Sequence, residues 1–405
     1  MIVDTNLISD DKREMALEGL RVLELVRVGP GAFCTRMLGD MGAEVVKIEE
    51  PYRSFLGGEK AERLVRSTFD RNKKSLCLDL SNVKGQRVFH RIAATADIIV
   101  EGFRPGKTKK LQIDYATINE INPRIIYCSL SGYGQTGPYR ELPGHDINYI
   151  AAAGALDLIG EIDGPPIIPL NLIADLASAG LHGVIGILTA IIAREKLGKG
   201  QYVDVSFLDG VLNLIGAVPP ISDFLLGGKL PQRGKHYLSG TFPFYSIYET
   251  KDEKYIALAC IEHHLWDNLC KALNRLDLIP YKAFQKHSRQ EWDYVRKELN
   301  SIFHSRTSQE WFQFLSQCDV PVSKVNSIAE VFDDPQCRER CMLQEFEDAE
   351  LGRLKQVGIP IKFSLTPGCI KSLAPKPGQH TRGILQSLGY SENEIQELFR
   401  HTVIR

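Results

Sequence analysis

The apolar residues of this chain gather first into short runs separated by amphipathic stretches. Val22-Leu23-Glu24-Leu25 reads as a strand, a Gly29-Pro30-Gly31 turn follows, Ala32 to Met41 has helical spacing, and Glu44-Val45-Val46-Lys47-Ile48 returns as a strand. Apolar runs joined by helices through tight glycine turns are the pattern of a doubly wound parallel sheet. The rhythm continues with Gly85 to Ala94 as a helix, then Asp97-Ile98-Ile99-Val100 and Ile125-Ile126-Tyr127-Cys128-Ser129-Leu130 as strands. Asp146 to Gly160 and Ala174 to Lys196 have helical spacing, and Gly198-Lys199-Gly200 stops the second before a strand at Tyr202-Val203-Asp204-Val205. An α/β domain is the expectation.

From Pro219 to Lys235 the pattern loosens into a Pro/Gly-rich stretch that reads as a linker. Beyond it, Phe242 to Thr250 and Lys254 to Cys260 alternate like paired strands around Lys251-Asp252-Glu253, and amphipathic helices are predicted over His263 to Leu273, Arg289 to Phe303 and Ser308 to Cys318. This part reads as a smaller α+β domain. Pro content rises again after about Asp334, and two short helices close the chain at Thr381 to Leu388 and Ser391 to Arg400.

A chain of 405 residues, 43% hydrophobic and 24% charged, exceeds what one hydrophobic core usually serves, so two domains are expected. With 49 basic against 50 acidic residues there is no large fixed field for a nucleic-acid backbone or an anionic bilayer. The nine cysteines form no CxxC pair, and Cys337 and Cys341 have no second ligand pair nearby, so free thiols in a reducing compartment are expected. Met1 to Met15 has no apolar core of a secretory signal, and Val403-Ile404-Arg405 is not a Ser-Lys-Leu type tripeptide. The run Gly183 to Ala193 is too short to span a bilayer, so the expected setting is cytoplasmic with no membrane partner.

Several clusters carry candidate chemistry. Gly29-Pro30-Gly31, with Glu49 and Glu50 about twenty residues on, imitates a dinucleotide fingerprint poorly, because Cys34 replaces the third small residue and Pro30 occupies the turn. Arg71-Asn72-Lys73-Lys74 and Gly102-Phe103-Arg104-Pro105-Gly106-Lys107 read singly as solvated surface turns. At the edge of an open α/β sheet, however, they jointly suit a phosphorylated ligand. His145, in Gly144-His145-Asp146-Ile147-Asn148-Tyr149, and Asp175, in Asn171-Leu172-Ile173-Ala174-Asp175, each open a helix. An imidazole and a carboxyl are what is needed to take a proton from one face of a carbon and return it to the other. Glu262, after the strand ending Ala259-Cys260-Ile261, would orient the imidazole. No His-Glu-x-x-His spacing supports a metal at His145, Asp175 or His263-His264, and Ser131-Gly132-Tyr133-Gly134 lacks the serine-nucleophile elbow.

These residues resemble the family III coenzyme A transferases, and within them the α-methylacyl-CoA racemase branch. The likeness runs from Leu17-Glu18-Gly19-Leu20-Arg21-Val22 through Arg71-Asn72-Lys73, Glu101-Gly102-Phe103-Arg104-Pro105-Gly106 and Ser131-Gly132-Tyr133-Gly134-Gln135-Thr136-Gly137-Pro138 to Gly198-Lys199-Gly200-Gln201-Tyr202-Val203-Asp204-Val205. The resemblance implies a Rossmann-like large domain from both chain ends, over 1–218 and 335–405, a linker at 219–235, a small α+β domain at 236–334, and two interlocked subunits of a homodimer. It implies an acyl-CoA substrate, no metal and no separate cofactor. Asp175 falls where transferases form an acyl anhydride, while histidine at 145 and Cys260-Ile261-Glu262 in place of a glycine-rich stretch are similar to the racemases. The implied function is racemisation of 2-methylacyl-CoA thioesters through an enolate, the alternative being CoA transfer between carboxylic acids by way of Asp175.

The resemblance further assigns CoA contacts to Gly29, Pro30, Arg71, Asn72, Lys73, Gly102, Phe103, Arg104, Lys110, Asp146 and Tyr149. Glu50 stands where the family often has an arginine for the ribose phosphate, and Arg53 is the expected replacement. For proton transfer near neutral pH, Asp175 must keep a proton part of the time, which requires a dry surrounding that raises its pKa. Backbone N–H groups at the helix start near Asp146 are the expected oxyanion contact.

Overall fold

Six of the apolar runs pair into one sheet. The computed structural model describes residues 14–51, 59–348 and 350–405. β1 (Arg21–Leu25), β2 (Glu44–Glu49), β3 (Lys73–Cys77), β4 (Ile98–Glu101), β5 (Ile126–Ser131) and β6 (Tyr202–Ser206) lie in the order β3-β2-β1-β4-β5-β6. Every neighbouring pair is parallel. Helices α1 (Pro30–Asp40), α2 (Glu59–Phe69), α3 (Val83–Ala93), α4 (Lys107–Lys110) and α5 (Tyr115–Ile121) make the connections between the first five strands. All residues of β4 and β5 are buried, as a parallel strand covered on both faces must be.

The strand order reverses between β1 and β4. In open α/β sheets ligands bind outside the carboxyl ends of strands at such a reversal, because the flanking loops diverge there and leave a crevice. The loops concerned begin at Val26 and at Gly102, and an added Cβ on Gly102 would touch Val26. Gly29 turns the first loop with φ +85°, a conformation that only glycine adopts without strain, and Pro30 is the first residue of α1.

Buried charges join β1, β2 and β3. Glu24 on β1 faces Lys47 on β2 in register, and Lys47 Nζ lies 3.3 Å from Glu24 and 2.9 Å from Asp70. Lys73 Nζ lies 2.7 Å from Glu24 and 3.2 Å from Asp70, and Arg66 reaches Asp70 at 3.4 Å and Glu49 at 2.7 Å. Burial alone would lower the Lys47 pKa, but Glu24, Asp70 and Glu49 outweigh it and push it up. Burial likewise opposes ionisation of Asp70, and Lys47, Lys73 and Arg66 hold it below its ordinary value.

The chain divides into two compact units, the first containing the chain through Ala153, Leu170–Leu214 and Arg338–Arg405. Described segments from the early and the late part of the chain therefore share the first unit. Arg71 clasps Asp40 through two hydrogen bonds of 3.0 and 2.6 Å and also donates to the Val357 carbonyl. Asn72 donates to the Cys369 carbonyl (2.8 Å) and accepts from the amides of Lys371 (2.7 Å) and Ser372 (3.0 Å). Val403 and Ile404 are fully buried in the sheet's core, and Ile404 bridges to Leu78.

The second unit comprises Gly154–Pro169 and Ile215–Cys337. Its antiparallel strands Tyr245–Glu249, Tyr255–Ala259 and Val322–Lys324 carry Tyr248, Ile256 and Leu258 into a core with Trp266, Phe303 and Trp311. Helices Arg289–Phe303 and Ser308–Leu315 start at capping boxes in which Ser288 and Thr307 exchange hydrogen bonds with Glu291 and Glu310.

The structure differs from the expectations in five places. Residues 154–169, expected in the large domain, group with the second unit, and the supposed linker 219–235 contains the helix Pro219–Gly227. The basic stretch from Lys73 is a strand rather than a surface turn, its charge hidden by pairing. A hairpin, Leu343–Asp348 with Gly352–Val357, was not predicted. The apolar run thought too short for a bilayer belongs to one helix, Leu172–Leu197, with 26 residues and a mean hydropathy of 1.9 in its most apolar window, long and apolar enough to cross a membrane.

Replacing Lys47 with Met should cost about 3–5 kcal/mol, because Glu24 and Asp70 would then sit in the interior with too little positive charge. The loss should appear as a lower urea midpoint at unchanged m-value.

Candidate active site

Three side chains on two helix starts define the site in the first unit. α6 (Asp146–Ala152) begins after His145, whose extended backbone places it at the N-cap. The His145 amide donates to Asn148 Oδ1 at 3.0 Å, one half of a capping box, and the residue itself is exposed. The second start is Leu172–Leu181, wound as a π-helix that continues into α7 (His182–Leu197), with Asp175 in its first turn. The helix was expected as α throughout; π turns are uncommon and recur at functional sites.

Asp146 ties the two starts together. Its Oδ2 accepts the amides of Ala174 at 2.8 Å and Asp175 at 2.9 Å, two of the N–H groups a helix start leaves unpaired. The residue is only 5% exposed, so these are interior hydrogen bonds to a charged acceptor. Asp146 was expected among CoA contacts; its carboxylate instead serves as a cap supplied across the fold.

Asp175 is half-buried and accepts from Asn171 Nδ2 at 3.3 Å. Burial raises its pKa, Asn171 works against that, the Asp146 charge raises it further and the His145 charge lowers it. The His145 charge thus acts on the Asp175 carboxyl.

Tyr149, one α6 turn after His145, forms the wall. Its ring is edge-on to Tyr133 (5.1 Å between centroids) and to Phe207 (5.2 Å). A Cβ on Gly132 or Gly144 would collide with this ring, so both positions must be glycine for it to sit there. Burial pushes the Tyr149 hydroxyl up to about 12, with Tyr133 and Asp175 adding to the rise and Arg104 opposing it. Arg104, exposed in the loop after β4, therefore belongs to the same neighbourhood, although no hydrogen bond links the two.

The remaining expected contacts divide. Gly29, Pro30, Gly102 and Phe103 lie on the two loops at the strand-order reversal, and Lys110 is exposed at the end of α4. Arg71 and Lys73 present no free cation: one is held by Asp40 and the other by Glu24, Asp70 and the Ala32 carbonyl. Their expected phosphate contact is thereby corrected, as is that of Asn72, which anchors the returning C-terminal segment. Arg53 lies outside the described residues. Glu262 belongs to the second unit, exposed at the N-cap of His263–Ala272 without a side-chain cap hydrogen bond. Among the described residues no group of three or more His, Cys, Asp or Glu converges as a metal site. Missed in the sequence were the capping role of Asp146 and the ring partners Tyr133 and Phe207; only the invariant need of Tyr149 for small neighbours, Gly132 and Gly144, was visible in principle.

Residues 17–381 match the model of CoA-transferase family III. The chain belongs to this family. It is 34% identical to human α-methylacyl-CoA racemase over 96% of this chain and 98% of that one. It is 32% identical, over the same shares, to the succinyl-CoA–L-malate CoA-transferase beta subunit of Chloroflexus aurantiacus. Among solved structures, a CAIB/BAIF family protein from Brucella suis superposes with a TM-score of 0.79 at 28% identity, covering 93% of this chain and 100% of that one. The family thus includes members named for isomerisation and members named for CoA transfer.

Two outcomes are expected. Asp146→Ala should lower stability by about 2–4 kcal/mol, the loss of a cap made of two charge-assisted hydrogen bonds, measured by urea denaturation. Because Asp175 titrates above its unfolded value, its proton contributes stability in full below that unfolded value, and the contribution disappears as pH rises through the folded one. Asp175→Asn should therefore raise Tm at neutral pH, with the difference closing as pH falls toward about 3.

Proposed function

We propose that the protein interconverts the (R) and (S) forms of a 2-methylacyl-CoA thioester by 1,1-proton transfer through an enolate. The observation that carries this reading is the pairing of an exposed imidazole at one helix start with a half-buried carboxyl, raised in pKa, at another, the two helix starts held together by Asp146. His145 takes the α-proton of one enantiomer as general base, and protonated Asp175 delivers a proton to the opposite face; the roles reverse for the other enantiomer. Partial burial of Asp175 and the neighbouring Asp146 charge favour the protonated form that this step needs.

The thioester α-proton is weakly acidic, so developing charge on the carbonyl oxygen must also be stabilised, and the backbone amides at the start of α6 are assigned to it. Glu262 is assigned, through the family resemblance, to orienting the imidazole. Arg104, Lys110 and the loops at Gly29 and Gly102 are assigned to CoA, whose binding energy positions the reacting carbon. No metal or redox cofactor enters this scheme. We further infer a cytoplasmic homodimer without nucleic-acid or membrane partners. Nine unpaired cysteines fit a reducing compartment, and a second subunit would cover the exposed Leu181, Ile185, Leu188 and Ile192 on the long helix.

A second reading, CoA transfer through an acyl anhydride on Asp175, is favoured by the transferase relative, whose identity is within two points of the racemase's. The carboxylate required for it is the same half-buried Asp175.

One enantiomer of a 2-methylacyl-CoA incubated in deuterated water should yield both enantiomers carrying α-deuterium without any added acid. His145→Ala should lower that rate by about 100- to 10,000-fold, the usual contribution of a general base. If turnover instead demands a free carboxylic acid, and hydroxylamine traps an acyl group on Asp175, the transferase reading replaces the racemase.

A further inference from the structure

Glu101 is buried where an acidic side chain is hardest to keep. It ends β4, directly at the strand-order reversal, in register with Leu25 on β1 and Ser129 on β5. It is 3% exposed, and no Lys or Arg forms an ion pair with it among the described residues. An unpaired interior carboxyl is costly, and burial pushes this one up to about 7. An apolar residue would cost less there unless the carboxyl has a task.

Its hydrogen bonds show what the carboxyl holds. Oε2 accepts the backbone amide of Phe103 at 2.7 Å, two residues along, so the side chain folds over the start of the Gly102–Gly106 loop. Ser129, its register partner on β5, works against the rise in its pKa, and Ser129 Oγ accepts the Tyr202 hydroxyl at 2.9 Å. The strand end that carries the clamp is thus flanked by β5, which pairs in turn with β6. The residue after Phe103 is Arg104, whose charge is felt by Tyr149, as is that of Asp175. One interior carboxylate thus sets the loop that carries a cation toward the proton-transfer pair.

We propose that Glu101 is a positioning residue that clamps the Phe103 amide so that Arg104 meets the phosphate groups of the CoA portion at a fixed place. It touches no reacting atom. The inference rests on the acyl-CoA reading above, and it holds equally whether the chemistry is racemisation or CoA transfer.

The test combines kinetics with binding of free CoA by calorimetry. Glu101→Leu should raise KM and the CoA Kd about tenfold, the scale of one hydrogen bond to a charged group, while kcat changes less than about threefold. Glu101→Gln keeps an oxygen for the Phe103 amide and should restore most of the binding. Arg104→Ala should reproduce the weakening, and the Glu101→Leu/Arg104→Ala double variant should be no worse than Arg104→Ala alone, since both act through one contact.

Additive effects in that cycle, or a Gln variant as weak as Leu, would overturn the proposal. So would a loss confined to kcat. Should Glu101→Leu fail to fold, the comparison of Glu101→Gln with Arg104→Ala decides: a Gln variant that binds CoA as poorly as Arg104→Ala refutes the clamp. If the native protein neither binds CoA nor turns over any acyl-CoA, the substrate reading itself has failed, a result distinct from all of these.

Discussion

One carboxylate oxygen holds the candidate site together. Asp146 Oδ2 receives the amides of Ala174 and Asp175, and so brings a helix that starts after β5 against one that starts more than twenty residues later. Away from water such hydrogen bonds are stronger and an unpaired helix start is costly, so neither helix can shift without leaving the amides of Ala174 and Asp175 unmet. The same residue acts through space. Its charge lies beside Asp175 and opposes ionisation there, while the imidazole of His145 favours it. One group thereby fixes the position of Asp175 and adds to the burial that raises its pKa.

Around that tie the fold sorts polar residues by depth. Glu24, Lys47, Asp70 and Lys73 neutralise one another beneath α1, where the first turn carries Gly29 and Pro30. Such a cluster is poor evidence for net stability, since hydrophobic residues of similar volume often serve as well. Its geometric effect is clearer: Lys73 also donates to the Ala32 carbonyl and so fixes the start of α1 at the crevice. Arg71 and Asn72 have a related task, fastening the returning C-terminal segment to the sheet. A motif that looks made for phosphate is consumed by architecture, while Arg104 and Lys110 stay exposed in and after the loop that follows β4.

The exposed apolar residues of the long helix bear on assembly rather than on chemistry. Leu181, Ile185, Leu188 and Ile192 recur at helical spacing on a helix whose other positions pack against α1 and β5. A stripe of this kind is stable in water only when something covers it, whether another protein surface or lipid.

The local pattern determined much of this molecule. Alternation of apolar runs and amphipathic stretches was enough for strands β1, β2, β4, β5 and β6 and for the helices starting at Arg289 and Ser308, because these features depend on neighbours within a few residues. The family motifs were legible for the same reason. What tertiary structure alone decided was the job of each charged side chain. Whether Lys73 meets a ligand or Glu24, whether Asp146 contacts CoA or caps a distant helix, and why Glu101 is buried all depend on partners far away in the chain. Desolvation and pairing are set by those partners, so a residue's identity states what it can donate or accept, while the packed fold determines what it does.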